Sequence, residues 1–148
     1  MIISLKTYIE KTYRSFENIK LNLIELYNQL SRCSDISDNT LKDIINNNTI
    51  FVYVNEKDYI VGAITILIEQ KIIHNGGKVC HIEDLVVDSS VRSYGIGKKL
   101  IKFCKQVAIE NVCYKIILNC NEFNKSYYEK FGFDSKNIEM SYYYKSLT

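Results

Sequence analysis

Val86-Val87-Asp88-Ser89-Ser90-Val91-Arg92-Ser93-Tyr94-Gly95-Ile96-Gly97-Lys98-Lys99-Leu100 reads as an apolar strand, a short loop with two glycines, and an amphipathic helix. Such a loop delivers several backbone N–H groups to a helix start, where orphan donors and the helix dipole attract anions, phosphates above all. Two familiar phosphate motifs do not fit. A dinucleotide fingerprint needs a third glycine where Leu100 stands, and a Walker loop needs two glycines five apart before Lys-Ser/Thr. The plainer reading is a strand-to-helix turn that uses glycine for backbone freedom.

The residues on either side extend the strand–helix alternation. Ile2 to Tyr13 is expected to hold a short strand. Ser15 is a candidate N-cap, followed by Phe16, Ile19, Leu23, Tyr27 and Leu30 at helical spacing, and a second helix after Ser37 carries Leu41, Ile44 and Ile45. Residues 49–54 and 59–68 are rich in β-branched and aromatic residues, with Asn55-Glu56-Lys57-Asp58 as a hairpin turn between them. A strand over 79–87 follows the glycine loop Asn75-Gly76-Gly77. The helix beginning near Gly97 presents Leu100, Ile101, Cys104, Val107 and Ala108 on one side. A short buried strand over 115–118, a helix over 124–131 and a last strand over 138–145 complete the chain. The expected class is α/β (α+β), a mixed sheet covered by helices.

A length of 148 residues suits a single domain spanning 1–148. The net charge of +2 and the lack of a basic run argue against nucleic-acid binding. No apolar run reaches the roughly 18 residues of a membrane span, and the start lacks the parts of a signal peptide. A soluble cytoplasmic protein is expected. The five cysteines, an odd number without metal-ligand spacing, and only two histidines make a zinc site improbable, and no metal is expected. Reduced, buried thiols are the expectation. A catalytic cysteine has no support nearby.

Several residues carry candidate chemistry. Glu83 and Asp84 interrupt an apolar strand, and neighbouring strand residues face opposite ways. One acid is therefore expected toward a covered side, where a carboxylate needs a donor or a ligand. The alternative is a solvated strand end. Tyr127 and Tyr128 cannot be told apart by chemistry alone in a chain with 12 tyrosines. Lys71, His74 and Lys115 lie near strand ends, either as a second anion site or as ordinary surface charge.

These residues resemble the GCN5-related N-acetyltransferase (GNAT) family. Arg92-Ser93-Tyr94-Gly95-Ile96-Gly97 matches its Arg-x-x-Gly-x-Gly motif, and Asn124 with Tyr127-Tyr128-Glu129-Lys130-Phe131-Gly132-Phe133 matches its later signature. Lys71-Ile72-Ile73-His74, His81-Ile82-Glu83-Asp84, Cys113-Tyr114-Lys115-Ile116-Ile117-Leu118 and Glu139-Met140 resemble one branch, whose acceptor is the amine of glucosamine 6-phosphate.

The resemblance implies a twisted, mostly antiparallel sheet flanked by helices and acetyl-CoA as co-substrate. The cofactor would lie along Leu85, Val86 and Val87, with its pyrophosphate on Arg92, Ser93, Tyr94, Gly95, Ile96 and Gly97 and its arm near Asn119 and Asn124. The amino sugar phosphate would meet Glu83, Asp84, Lys71, Ile72, Ile73, His74 and Ser31. Tyr114 and Lys115 would reach it from the second subunit of an intertwined homodimer. Tyr128, Glu83 and Asp84 would be catalytic. Two departures stand out: Asn119 replaces an aspartate, and Tyr143 replaces a phosphate-binding arginine, with Lys145 two residues on. The rival expectations are a different amine acceptor, such as a protein N-terminus, and a non-catalytic acetyl-CoA-binding module.

Overall fold

Serine caps set the helices at the start of the chain. The computed structural model describes residues 1–144, which divide into two units, 1–118 and 119 onward. In the first, β1 (Ile2–Ser4) runs straight into α1 (Leu5–Lys11) because the Ser4 hydroxyl accepts from the Thr7 N–H. The expected N-terminal strand is therefore only three residues long, and a helix takes the rest. Ser15 caps α2 (Phe16–Asn28) and Ser37 caps α3 (Asp38–Asn47), as the sequence predicts. Each such cap contributes about 1 kcal/mol by satisfying an orphan N–H.

β2 (Ile50–Val54) and β3 (Ile60–Gln70) form the expected hairpin. A single helical turn, α4 (Ile73–Gly76), precedes β4 (Lys78–Val87). A 3-10 turn over Ser89–Tyr94 leads to α5 (Ile96–Glu110), and β5 (Cys113–Ile117) closes the sheet. The order is β1-β2-β3-β4-β5, antiparallel except for the parallel β4–β5 pair. A five-stranded mixed sheet flanked by helices is the α/β class expected.

The two faces of β2 sort the core. Ile50, Val52 and Val54 bury against Leu5, Ile19, Leu23, Leu26 and Leu41 of α1, α2 and α3. Phe51 points the other way and meets Phe103 of α5 edge-on, with ring centroids 4.6 Å apart. α5 lies so close to the sheet that a Cβ on Gly62 would come within 3.0 Å of Ile96 Cγ2. Asn22 fastens α2 to the sheet: its amide accepts from the Ile60 N–H and donates to the Ile60 carbonyl, both at 3.0 Å.

Two expectations about the end of the chain are corrected. β5 is not buried; it is an edge strand with Tyr114, Lys115 and Ile117 exposed, since only β4 flanks it. The expected strand over 138–145 is absent among the described residues, and Lys145 lies outside them. In the second unit, Asn121 caps α6 (Glu122–Glu129), so this helix starts two residues before the predicted 124.

Candidate active site

Asp88 starts the loop between β4 and α5. Its carboxylate accepts from the Ser90 hydroxyl and, at 2.9 Å, from the Ser90 N–H, capping the 3-10 turn, and these bonds hold it below the usual carboxylate range. Gly95 then takes φ +72°, a conformation glycine adopts without strain, and α5 begins at Ile96. The predicted two-glycine loop therefore contains one glycine, because Gly97 is already in the first turn of α5 and buried. Gly95 has no side chain to cap the helix, and the Lys99 N–H to Gly95 carbonyl bond is its first internal one. The N–H groups of Ile96, Gly97 and Lys98 thus stand at the positive end of a 15-residue helix without a side-chain cap. Arg92, Ser93 and Tyr94 beside them are exposed, and Arg92 Nε donates to the Val87 carbonyl at 3.2 Å.

The strand leading into this loop carries a β-bulge. Thr65 pairs with Glu83 and Ala63 with Val86, so Asp84 and Leu85 oppose Ile64 alone. Asp84 takes φ +48°, a strained left-handed conformation of the kind that collects at functional sites. The bulge breaks the alternation expected for the two acids: Glu83 and Asp84 are both exposed. On its other edge β4 loses its partner. β5 pairs only with Lys78 to His81, so Ile82 to Val87 have no strand on that side among the described residues. Leu85, Val86 and Val87 thus border an open backbone edge, with Val86 itself buried.

Asp84 also lines a cavity of about 430 Å³, walled by the end of α2, the following segment, α3 and β3. Ser31, predicted as an acceptor contact, lines it too, together with Arg32, Cys33, Thr65 and Tyr27. Tyr27 stands in the last turn of α2, on the helical spacing read from the sequence. Its hydroxyl is buried and has no hydrogen-bond partner among the described residues. Burial, and then the Asp84 charge, push the phenol up to about 12. Thr65 pulls weakly the other way, yet it does not reach hydrogen-bonding geometry. Nothing in the sequence separates Tyr27 from the packing tyrosines; only the fold shows that its hydroxyl is unpaired.

The remaining predicted acceptor residues lie elsewhere in this unit. Glu83, Lys71, Ile72, Ile73, His74, Tyr114 and Lys115 are not among the cavity's lining residues. Lys71 and His81 both pair with Glu69, whose carboxyl they hold below its ordinary range. His74 and Asn75 take positive φ, and His74 stacks on Tyr114 with ring centroids 4.3 Å apart. Lys115 Nζ lies 5.8 Å from the same ring, while Ile72 and Ile73 are exposed beside it. Gly77 makes this packing fit, since a Cβ there would come within 2.7 Å of Tyr114 Cδ1.

In the second unit, Asn119 and Asn124 are exposed. Tyr128 is half-buried, with ring centroids 5.3 Å from Tyr127 and 6.1 Å from Phe133. Burial, with Tyr127 beside it, raises the Tyr128 phenol above its ordinary value. Tyr127 is more exposed, which separates the two tyrosines that chemistry alone could not. Tyr143 is exposed.

Among the described residues no group of His, Cys, Asp and Glu is placed to hold a metal ion, and no helix is long and apolar enough to cross a membrane.

Comparison with known proteins bears on this arrangement. The family described as "Acetyltransferase (GNAT) family" matches residues 13–133. A glucosamine 6-phosphate N-acetyltransferase of Arabidopsis thaliana is 45% identical over 80 residues, which are 54% of this chain and 54% of that protein. Glucosamine 6-phosphate N-acetyltransferase 1 of Dictyostelium discoideum is 35% identical over 125 residues, 84% of this chain and 73% of that protein. The matched segment thus spans about half the length of the first relative and nearly three quarters of the second. The crystal structure of the Arabidopsis thaliana enzyme superposes with a TM-score of 0.80 at 32% identity, covering 98% of each chain.

Proposed function

The chain belongs to the GNAT acetyltransferase family, and from that premise we propose that it transfers the acetyl group of acetyl-CoA to the amine of glucosamine 6-phosphate. One observation carries the choice of acceptor: the 35% identity to the Dictyostelium discoideum enzyme extends over 84% of this chain. It spans both the anion loop and the strand bearing Glu83 and Asp84.

Acetyl-CoA supplies the acyl group as a thioester. The N–H groups at the start of α5, with Arg92, bind its pyrophosphate. The open edge of β4 along Leu85 to Val87 takes the pantetheine arm, which carries amides suited to an unpaired strand edge. Asn119 and Asn124 line its path. A backbone N–H near Val86 donates to the thioester oxygen, where negative charge develops.

The acceptor enters the cavity beside Asp84, Tyr27 and Ser31. Holding the amine in line with the thioester supplies much of the rate. The nitrogen attacks the carbonyl carbon, its proton passes to the Asp84 carboxylate and from there through solvent to Glu83, and the C–S bond breaks. Tyr128 donates its O–H to the departing sulfur. Lys71, Ile72, Ile73, His74, Tyr114 and Lys115, absent from the cavity of their own subunit, serve the acceptor site of a second copy in a homodimer. The exposed β5 edge and the exposed Ile72 and Ile73 support that arrangement.

The test is CoA release followed with a thiol reagent, using glucosamine 6-phosphate and unphosphorylated glucosamine as parallel acceptors. Release that depends on the phosphate is expected, even with Tyr143 in place of arginine. Saturable release with a peptide amine and none with the sugar phosphate would overturn the acceptor. Acetyl-CoA binding without transfer to any amine would overturn catalysis.

A further inference from the structure

We infer that Gln29 is a positioning residue for acyl-CoA, acting from α2 on the anion loop. Gln29 is the C-cap residue of α2, two positions after Tyr27 in the cavity wall. Its side-chain amide reaches across to the loop with both of its ends. Nε2 donates to Asp88 Oδ2 at 3.0 Å, and Oε1 accepts from the Ser89 N–H at 2.8 Å. Asp88 is the residue that starts the loop. Its other oxygen caps Ser90, its N–H donates to the Val61 carbonyl at 3.0 Å, and its carbonyl accepts from the Val91 N–H.

The geometry follows from the chemistry of the amide. Only a group with a donor and an acceptor side by side can satisfy a carboxylate oxygen and a backbone N–H at once. The bond to the carboxylate is charge-assisted, the stronger kind. The middle of α2 is tied to the sheet by Asn22, so Gln29 rests on a fixed element. It therefore limits where the loop's N–H groups can point, and it joins the loop to the helix that carries Tyr27 into the cavity.

This inference rests on the proposed acetyl-CoA reading of the loop. The test compares wild type, Q29A and Q29E by calorimetric titration with CoA. Each is also assayed by steady-state kinetics with acetyl-CoA and with S-acetylpantetheine, which lacks the pyrophosphate. Q29A should raise the CoA Kd and the acetyl-CoA KM about three- to tenfold, the range of one or two lost hydrogen bonds, with kcat near wild type. Q29E, which sets a second carboxylate against Asp88, should raise both further. Turnover of S-acetylpantetheine should be unchanged in Q29A, an outcome that mere loss of folded protein cannot give. Equal losses with both thioesters, or an unchanged CoA Kd, would overturn the role of Gln29. Failure of the wild type itself to bind CoA would instead overturn the acetyl-CoA reading, and this role with it.

Discussion

Tyr27 and Asp84 line one cavity from different elements, the phenol on the last turn of α2 and the carboxylate on the bulge of β4. The phenol hydroxyl is buried without a partner among the described residues. A buried unpaired hydroxyl costs about 1–3 kcal/mol, and the cost is relieved when a ligand supplies the missing bond. Tyr27→Phe is therefore expected to leave the ligand-free protein as stable or up to about 1 kcal/mol more stable by thermal denaturation. kcat/KM for the acceptor should fall about 5- to 30-fold, the equivalent of roughly 1–2 kcal/mol. Unchanged acceptor kinetics would show that the hydroxyl does not meet the substrate.

The left-handed backbone at Asp84 makes a second, separable prediction. A residue with a Cβ is strained at φ +48°, though aspartate tolerates it better than most. Asp84→Gly should be about 1 kcal/mol more stable than Asp84→Ala in denaturant unfolding, because only alanine carries the Cβ penalty. Both lose the carboxylate, so both should lose turnover by a factor of about 100 or more. Equal stability of the two variants would argue against a fixed bulge. Retained activity in Asp84→Gly would argue against a role for the acid.

The parts of this fold written in local chemistry were legible. Ser15 and Ser37 precede amphipathic runs and cap the helices expected of them. Gly95 marks the strand-to-helix turn because the backbone there needs positive φ. What depends on pairing was not legible. The extra residue at Asp84 arises from register against β3, which strict alternation cannot show. The apolar run at 115–118 reads the same whether a strand is central or at an edge, and β5 is at the edge. The strand-to-helix turn at Gly95 was legible from the chain alone. Tyr27 and Gln29 were not, because the unpaired hydroxyl and the two-ended amide contact exist only once α2 is packed.

Cys80 and Cys104 bring their sulfurs to 3.6 Å in the interior, between β4 and α5. The contact with the Cys80 sulfur, and then burial, push the Cys104 thiol well up, the same contact holds Cys80 down, and burial raises Cys113. Cys80 and Cys104 are both buried, and structural thiols shut away from a reagent are inert. Titration of the native protein with a thiol reagent at pH 8 should label the exposed Cys120 first. Cys80 and Cys104 should react only on unfolding, when all five cysteines become available. Mass mapping of the labelled peptides decides it. Early labelling of Cys104 would mean that α5 opens from the sheet under native conditions.

Burial of the Tyr128 phenol fixes what it is able to do. An ordinary phenol has a pKa of about 10 and a thiol about 8.5, so passing its proton fully to a thiolate costs roughly 2 kcal/mol. Burial raises the Tyr128 phenol further, which makes that transfer harder. Donating a hydrogen bond to the sulfur needs no transfer and stabilises charge as it develops. Tyr128→Phe should therefore lower kcat about 10- to 100-fold while the CoA Kd stays within about twofold, since the bond strengthens in the transition state rather than in the bound state. A raised value keeps the phenol protonated, so its ionisation should cause no loss of kcat below about pH 10. If wild type shows such a loss near pH 8 and Tyr128→Phe does not, the phenol ionises during turnover and acts as an acid or base instead. If the substitution leaves kcat unchanged, Tyr128 has no part in expelling the sulfur.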